Sequence, residues 1–377
     1  MSNPTATDED RARTCEAMLG SIQIYGNAGD LAMADRFYGS ICDTYMRFST
    51  ESPLRDTLAR SAVAMAHFHG RNGDLDEADE FIDDLRALCA ENPDEESLGD
   101  LLADALSTQA IHHAQRDEFE KVNEIFCELQ VLAGQFPTDV FVQEQFALTA
   151  YNLSVGLHAA RAADEMYTLY CELLALSARV PLSAGIRSSL GKLMFNLSSL
   201  QLYERLEAAQ ELCVQSRTLA QSHPTEPDLR MQAALSASNL ATRLSSLGRL
   251  QDALRFYEEL VEWTERHPDD THLREQRVRT ARNILVTSDA GWDAETGWRL
   301  YRDAASAVAT DPENASLREF VGESAHAIWI DAVMRDDVGK AELAYLQLAG
   351  LANQYPADAS LRGYVDKIRL LRQSRPA

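Results

Sequence analysis

The chain has 377 residues, 45% of them apolar and 25% charged, and carries a formal net charge of -24. That much apolar material excludes a disordered chain. The acidic field excludes a phosphate-gripping surface, which needs clustered Lys and Arg, so nucleic acid is not expected as a partner.

Lysine occurs only at Lys121, Lys192, Lys340 and Lys367, and the other basic residues are arginine. A GC-rich genome gives this bias, and so does a surface adapted to high salt. The six cysteines favour the first explanation. The opening "MSNPTATDED" lacks the apolar core of a signal peptide. No apolar run approaches the roughly 18 residues that span a membrane. A cytoplasmic protein with no membrane partner is expected. Cys15, Cys42, Cys89, Cys127, Cys171 and Cys213 form no CxxC pair, which points to reduced core residues rather than a metal or redox centre.

Residues 1–10 are expected to be loose. From there the chain repeats. Pro93, Pro137, Pro181, Pro224, Pro268, Pro312 and Pro356 are 44, 44, 43, 44, 44 and 44 residues apart. Each proline stops one helix, and an Asp or Ser shortly after it caps the next. "HPTEPDLR", "HPDDTHLR", "DPENASLR" and "YPADASLR" are one corner written four times. A second column keeps the same phase: Ala34, Ala78, Val122, Met166, Ala209, Ala253, Gly297 and Ala341. Four residues after each stands Tyr38, Ile82, Phe126, Tyr170, Cys213, Tyr257, Tyr301 or Tyr345, on the same helix face. The unit is therefore two helices, A and B, turned by sequences such as "AGDL" and "NGDL". The periodicity gives no strand. The spacing predicts eight antiparallel hairpins ending near 52, 92, 136, 180, 223, 267, 311 and 355, with a polar, basic capping helix at about 360–372.

"SNLATRLSSLGRLQDALRFYEELVEWTERHP" (238–268) resembles a tetratricopeptide repeat. Asn239-Leu240-Ala241 matches the Asn-Leu-Gly of the family's helix A. Gly248 matches the turn glycine, Ala253 the small helix-B residue, Tyr257 the aromatic and Pro268 the closing proline. The family period is about 34 residues; here both helices are longer. A longer period also falls within the range of HEAT and armadillo repeats, but the small-then-aromatic column and the turn glycines favour the tetratricopeptide likeness. The resemblance implies an all-α, right-handed α-solenoid forming a single repeat domain over 11–377, with a concave face lined by the A helices.

No catalytic set emerges. "GIRSSLGK" (185–192) has the wrong glycine spacing for a phosphate loop and no strand before it. Adjacent His112 and His113 point to different helix faces, which makes a poor metal pair. Cys127, Cys171 and Cys213 fall at nearly the same helix-B position and are expected in the core. No cofactor and no metal are expected, and the protein is read as not an enzyme.

One column remains. Asn152, Asn196, Asn239 and Asn283 hold the same helix-A position in four consecutive copies. Asn inside a helix costs up to about 0.7 kcal/mol against Ala, so something offsets that cost four times. One reading ties each amide to a neighbouring backbone carbonyl. The other follows from the resemblance, in which an Asn here bonds a bound peptide's backbone. Tyr151, Phe195, Lys192, Arg279 and Arg282 would then line the groove, aromatic in the middle copies and basic further on. The function expected is a protein-interaction scaffold that takes a peptide or helix of a partner protein. The alternative is a sensor solenoid that binds a peptide signal or small ligand and relays it to another chain.

Overall fold

The computed structural model of the protein describes residues 7–48, 52–287 and 292–373. Two compact units divide the chain, Met1–Leu193 and Met194–Ala377. Among the described residues every regular element is an α-helix. In chain order these are α1 (Asp8–Asn27), α2 (Leu31–Arg47), α3 (Ser52–Asn72), α4 (Leu75–Glu91), α5 (Glu96–Gln115), α6 (Phe119–Gln135), α7 (Val140–Ala159) and α8 (Ala163–Arg179). Then come α9 (Ala184–Glu204), α10 (Leu206–Ser222), α11 (Pro227–Ser246), α12 (Leu250–Arg266), α13 (Thr271–Thr287), α14 (Ala294–Thr310), α15 (Ala315–Met334), α16 (Val338–Gln354) and α17 (Ala359–Gln373). Odd-numbered helices are the A helices of the sequence pattern and even-numbered ones the B helices.

Within the first unit, α1 packs on α2 and α3, α3 on α4 and α5, and α5 on α6 and α7. The second unit repeats this pattern, with α11 on α12 and α13, α13 on α14 and α15, and α15 on α16 and α17. Within the units, α2, α4, α6, α10, α12, α14 and α16 each lean on the A helix that follows, and neighbouring B helices touch through side-chain bonds such as Arg86 to Glu128 at 2.8 Å. Packing only between neighbours is the all-α solenoid arrangement.

Helix starts earlier than the sequence suggests. Asp8, Glu9 and Asp10 form the first turn of α1, because Thr7 and Asp10 build a capping box: the Thr7 hydroxyl accepts the Asp10 amide and the Asp10 carboxylate accepts the Thr7 amide, each at 3.2 Å. Residues 1–6 of the stretch expected to be loose lie outside the described residues. α2 closes on Phe48, and residues 49–51, just before the expected hairpin end near 52, lie outside the described residues. Pro53 lies in the first turn of α3, where an amide has no intrahelical partner to lose. The later B helices close on Asn92, Phe136, Val180, His223, His267, Asp311 and Tyr355.

Corner residues cap as their chemistry dictates. Asp139, Ser183, Asp270, Asn314 and Asp358 each accept the amide three residues on, at 3.0–3.2 Å. The arginine in the repeated "LR" closes the same corner. Arg230 donates to the Pro224 carbonyl at 2.5 Å, and Arg274 and Arg318 to the Pro268 and Pro312 carbonyls at 2.6 Å. Arg187 does likewise to Pro181. Each of the three C-terminal arginines also reaches an aspartate of the next corner: Arg230 to Asp270 (3.5 Å), Arg274 to Asp311 (3.9 Å) and Arg318 to Asp358 (2.8 Å).

The turns between A and B helices need a left-handed residue. Gly29, Gly73 and Gly248 supply it at φ 80°, 92° and 72°. In three other hairpins Asp117, Arg161 and Asp336 take φ 61°, 58° and 57° without that freedom.

The small column is buried throughout, with Ala34, Ala78, Val122, Met166 and Ala253 wholly covered. At Gly297 the Trp292 ring lies so close that it leaves no room for a Cβ. The aromatic column packs beside it, and two of its tyrosines reach aspartates of the following B helix: Tyr38 donates to Asp84 at 2.5 Å, and Tyr257 donates to Asp303. The cysteine trio departs from expectation. Cys213 is buried, but Cys127 and Cys171 are exposed. They stand five residues after Val122 and Met166, whereas Cys213 stands four after Ala209. One extra residue turns a side chain about 100° around the helix, here from core to solvent.

Candidate functional site: the helix-A face

Two of the four column asparagines are bonded inside the stack. Asn239 donates through Nδ2 to Ser199 Oγ at 3.5 Å, and Asn283 to Thr242 Oγ1 at 2.9 Å. In both cases the acceptor lies three residues past the asparagine of the preceding A helix, and it is a side-chain hydroxyl rather than the backbone carbonyl expected. Thr280 Oγ1 adds a buried bond to Ser238 Oγ at 2.8 Å, so a polar seam joins α11 to α13. Asn152 differs: its Nδ2 is buried with no hydrogen-bond partner among the described residues. The residue matching Ser199 and Thr242 on α5 is Ile111, which has no hydroxyl to offer. Asn196 is half-buried on α9.

The groove residues named from the sequence part company. Lys192 sits over the Tyr151 ring, 5.4 Å from its centroid, so these two are brought together. Phe195 is half-buried. Arg282 does not offer a loose positive charge. It donates to Glu323 and, at 2.7 Å, to the side-chain oxygen of Asn283, and it lies 5.8 Å from the Phe320 ring centroid. Arg279 is half-buried and makes no ion pair among the described residues.

Beyond α13 the same face opens into a cleft of about 540 Å³ between α13, α15 and α17. Leu285, Val286, Ala327, Ile330 and Met334 supply its apolar wall, and Val286 and Met334 are 52% and 74% exposed. Its carboxylates are already engaged. Glu323 accepts Arg282 and the Tyr364 hydroxyl, the latter at 2.7 Å. Burial alone would raise its carboxyl pKa, but those two bonds outweigh burial and hold it below the usual range. Asp331 is buried against Arg335 at 2.7 Å, and Arg335 also donates to the Trp292 carbonyl at 2.8 Å.

Two nitrogens in the cleft wall are left over. Trp292 is only 3% exposed, and its Nε1 makes no hydrogen bond among the described residues; the same holds for His326 Nε2. An unmade buried bond costs about 1–3 kcal/mol. Burial, and then the Lys367 ammonium, push the His326 ring below the ordinary histidine range, which keeps it neutral at pH 7. Lys367 itself lies over the Tyr364 ring at 4.8 Å. Sequence reasoning missed all of these. The signal was present for His326: it stands one step after Arg282 in the column that holds Tyr151, Phe195 and Arg282.

The first unit has its own cleft on the A helices, about 460 Å³, lined by Gln23, Asn27, His67, Phe68, Arg71, Thr108 and His112. The histidine pair His112 and His113 splits as the helix period requires. The His112 ring lies on Gly70, while His113 Nδ1 meets Glu118 at 2.6 Å. Among the described residues no three His, Cys, Asp or Glu side chains are grouped to hold a metal.

Comparison with known proteins adds little. No protein-family model matches the chain, and no curated protein matches it. Among solved structures, one described as the P58(IPK) TPR domain is similar at 17% identity and a TM-score of 0.23, over 96% of this chain and 99% of that one.

Proposed function

We propose that the chain is a non-catalytic, tetratricopeptide-like interaction scaffold, forming one right-handed repeat domain over 11–377 and taking a peptide or helix of a partner protein on its helix-A face. The supporting observation is the apolar surface which that face leaves to solvent. Val155, Val286 and Ile330, at one shared helix-A position, are 41%, 52% and 37% exposed. Apolar residues held outward at a fixed register are what an amphipathic segment docks onto. The reading needs no metal or cofactor. A cytoplasmic setting suits the six cysteines, none of which is disulfide-bonded. No helix among the described residues is long and apolar enough to cross a membrane.

A photo-crosslinking amino acid placed at Val155 or Ile330, against one at the exposed helix-B residue Tyr167, tests this in lysate of the source cells. Discrete adducts from the two A-face positions and none from Tyr167 are expected. Adducts only from Tyr167 would move the binding surface to the other side and sink the proposal. The sensor reading stays as the second one because the cleft volume lies within the range of small-ligand sites, roughly 300–1,000 Å³.

A further inference from the structure

We infer that the cleft between α13, α15 and α17 is a small-molecule site for an apolar carboxylate, an aryl or branched-alkyl acid. The walls set the apolar half: Val286, Ile330 and Met334 border a space of about 540 Å³, which matches a compact ligand. The polar half follows from counting what remains unspent. Glu323 and Asp331 already accept from Arg282, Tyr364 and Arg335, so the cleft has no idle acceptor among them. What remains can donate: the Lys367 ammonium, which has no ion pair among the described residues, and the Trp292 indole N–H; beside them His326 Nε2 is unpartnered and donates in one of the ring's two neutral tautomers. An exposed ammonium and a buried indole N–H at the edge of an apolar cleft ask for an acceptor with negative charge.

Elsewhere on this unit's A face the column asparagines already make bonds within the stack. Asn239 and Asn283 have their amides committed to Ser199 and Thr242. The unpartnered buried nitrogens of Trp292 and His326 stand instead in the cleft wall.

The test titrates the ¹⁵N-labelled full chain and follows the indole N–H signals of its four tryptophans, with that of Trp292 assigned by Trp292→Phe. The probes are 3-phenylpropanoate, its neutral amide, acetate, and a capped peptide carrying phenylalanine beside glutamate. The expected result is a saturable shift of the Trp292 signal by 3-phenylpropanoate, with binding of the amide weaker by roughly tenfold or more, the size of a lost charge-assisted bond. Acetate should leave the signal in place. Because Trp292 is buried and its replacement could unfold the unit, the deciding variant is Lys367→Met at an exposed position. It should weaken the acid by a similar factor and leave the amide unchanged. An unmoved Trp292 signal, equal binding of acid and amide, indifference to Lys367→Met, or binding of the peptide alone would each overturn the inference.

Discussion

Single side chains set the tolerances of this fold, and Ala253 shows the tightest. It is wholly buried in the small column, beside Tyr257. Ala253→Leu is expected to cost about 1–3 kcal/mol by overpacking, read by urea denaturation; no change would mean that the helices do not close on this column. Asp100 gives a second case. Burial, and then the neighbouring Asp139 carboxylate, push it up to about 6. A raised carboxyl favours folding while protonated, so its contribution is full below the ordinary Asp range near 4 and is lost as pH rises through about 6. Asp100→Asn should therefore melt higher than the parent at pH 7.5 and alongside it at pH 4.5. A gap that does not change with pH would show that Asp100 is not titrating. The columns of Ala253 and Tyr257 were legible in the sequence because packing repeats. The partners of Asn239 and Asn283 were not, because a hydroxyl on the preceding helix stands some forty residues away and only the fold brings it near.

At the scale of the element, the corner carries information that the sequence displays without explaining. "LR" recurs four times, yet only the structure shows the arginine spanning a proline carbonyl and the next corner's aspartate. Arg318→Ala removes its bonds to Pro312 and Asp358 and its stacking on Tyr355. A loss of about 1–3 kcal/mol at pH 7 is expected, as for other hydrogen bonds to charged groups. Burial works to raise the Asp358 carboxyl, but Arg318 and the capped amides hold it low. Stability from a lowered carboxyl is present above the ordinary Asp range and is lost as pH falls through the folded value. The cost of Arg318→Ala should therefore shrink in acid, which thermal melts at pH 7 and pH 3 would show. The A–B turns were legible only where glycine marks them. Arg161 adopts the same left-handed backbone, so Arg161→Gly should stabilise by up to about 1 kcal/mol through relief of strain; a lower melting temperature would contradict this. At the end of the chain, Asp366, Arg369 and Gln373 stand where α11 carries Ala234, Ala237 and Ala241. Polar side chains there replace small residues that elsewhere allow close approach.

For the whole molecule, the all-α repeat was legible from two columns of residues, because each hairpin solves the same packing problem. The cleft was not, since it forms where Trp292, His326 and Lys367 break the pattern, and a pattern hides its own exceptions. The packing within each unit has a mechanical consequence. A helices rest on A helices, and B helices reach only the hairpin beside them, so the contacts tie each hairpin to its neighbours. A chain pulled from both ends should then yield piecemeal rather than all at once. In an optical trap the extension would grow in steps of about 150 Å, the contour length of one repeat at roughly 3.4 Å per residue, and a single cooperative rip of either unit would show that its hairpins are bound together more tightly than their contacts imply. Such a stack behaves less like a bead than like a spring, giving way coil by coil.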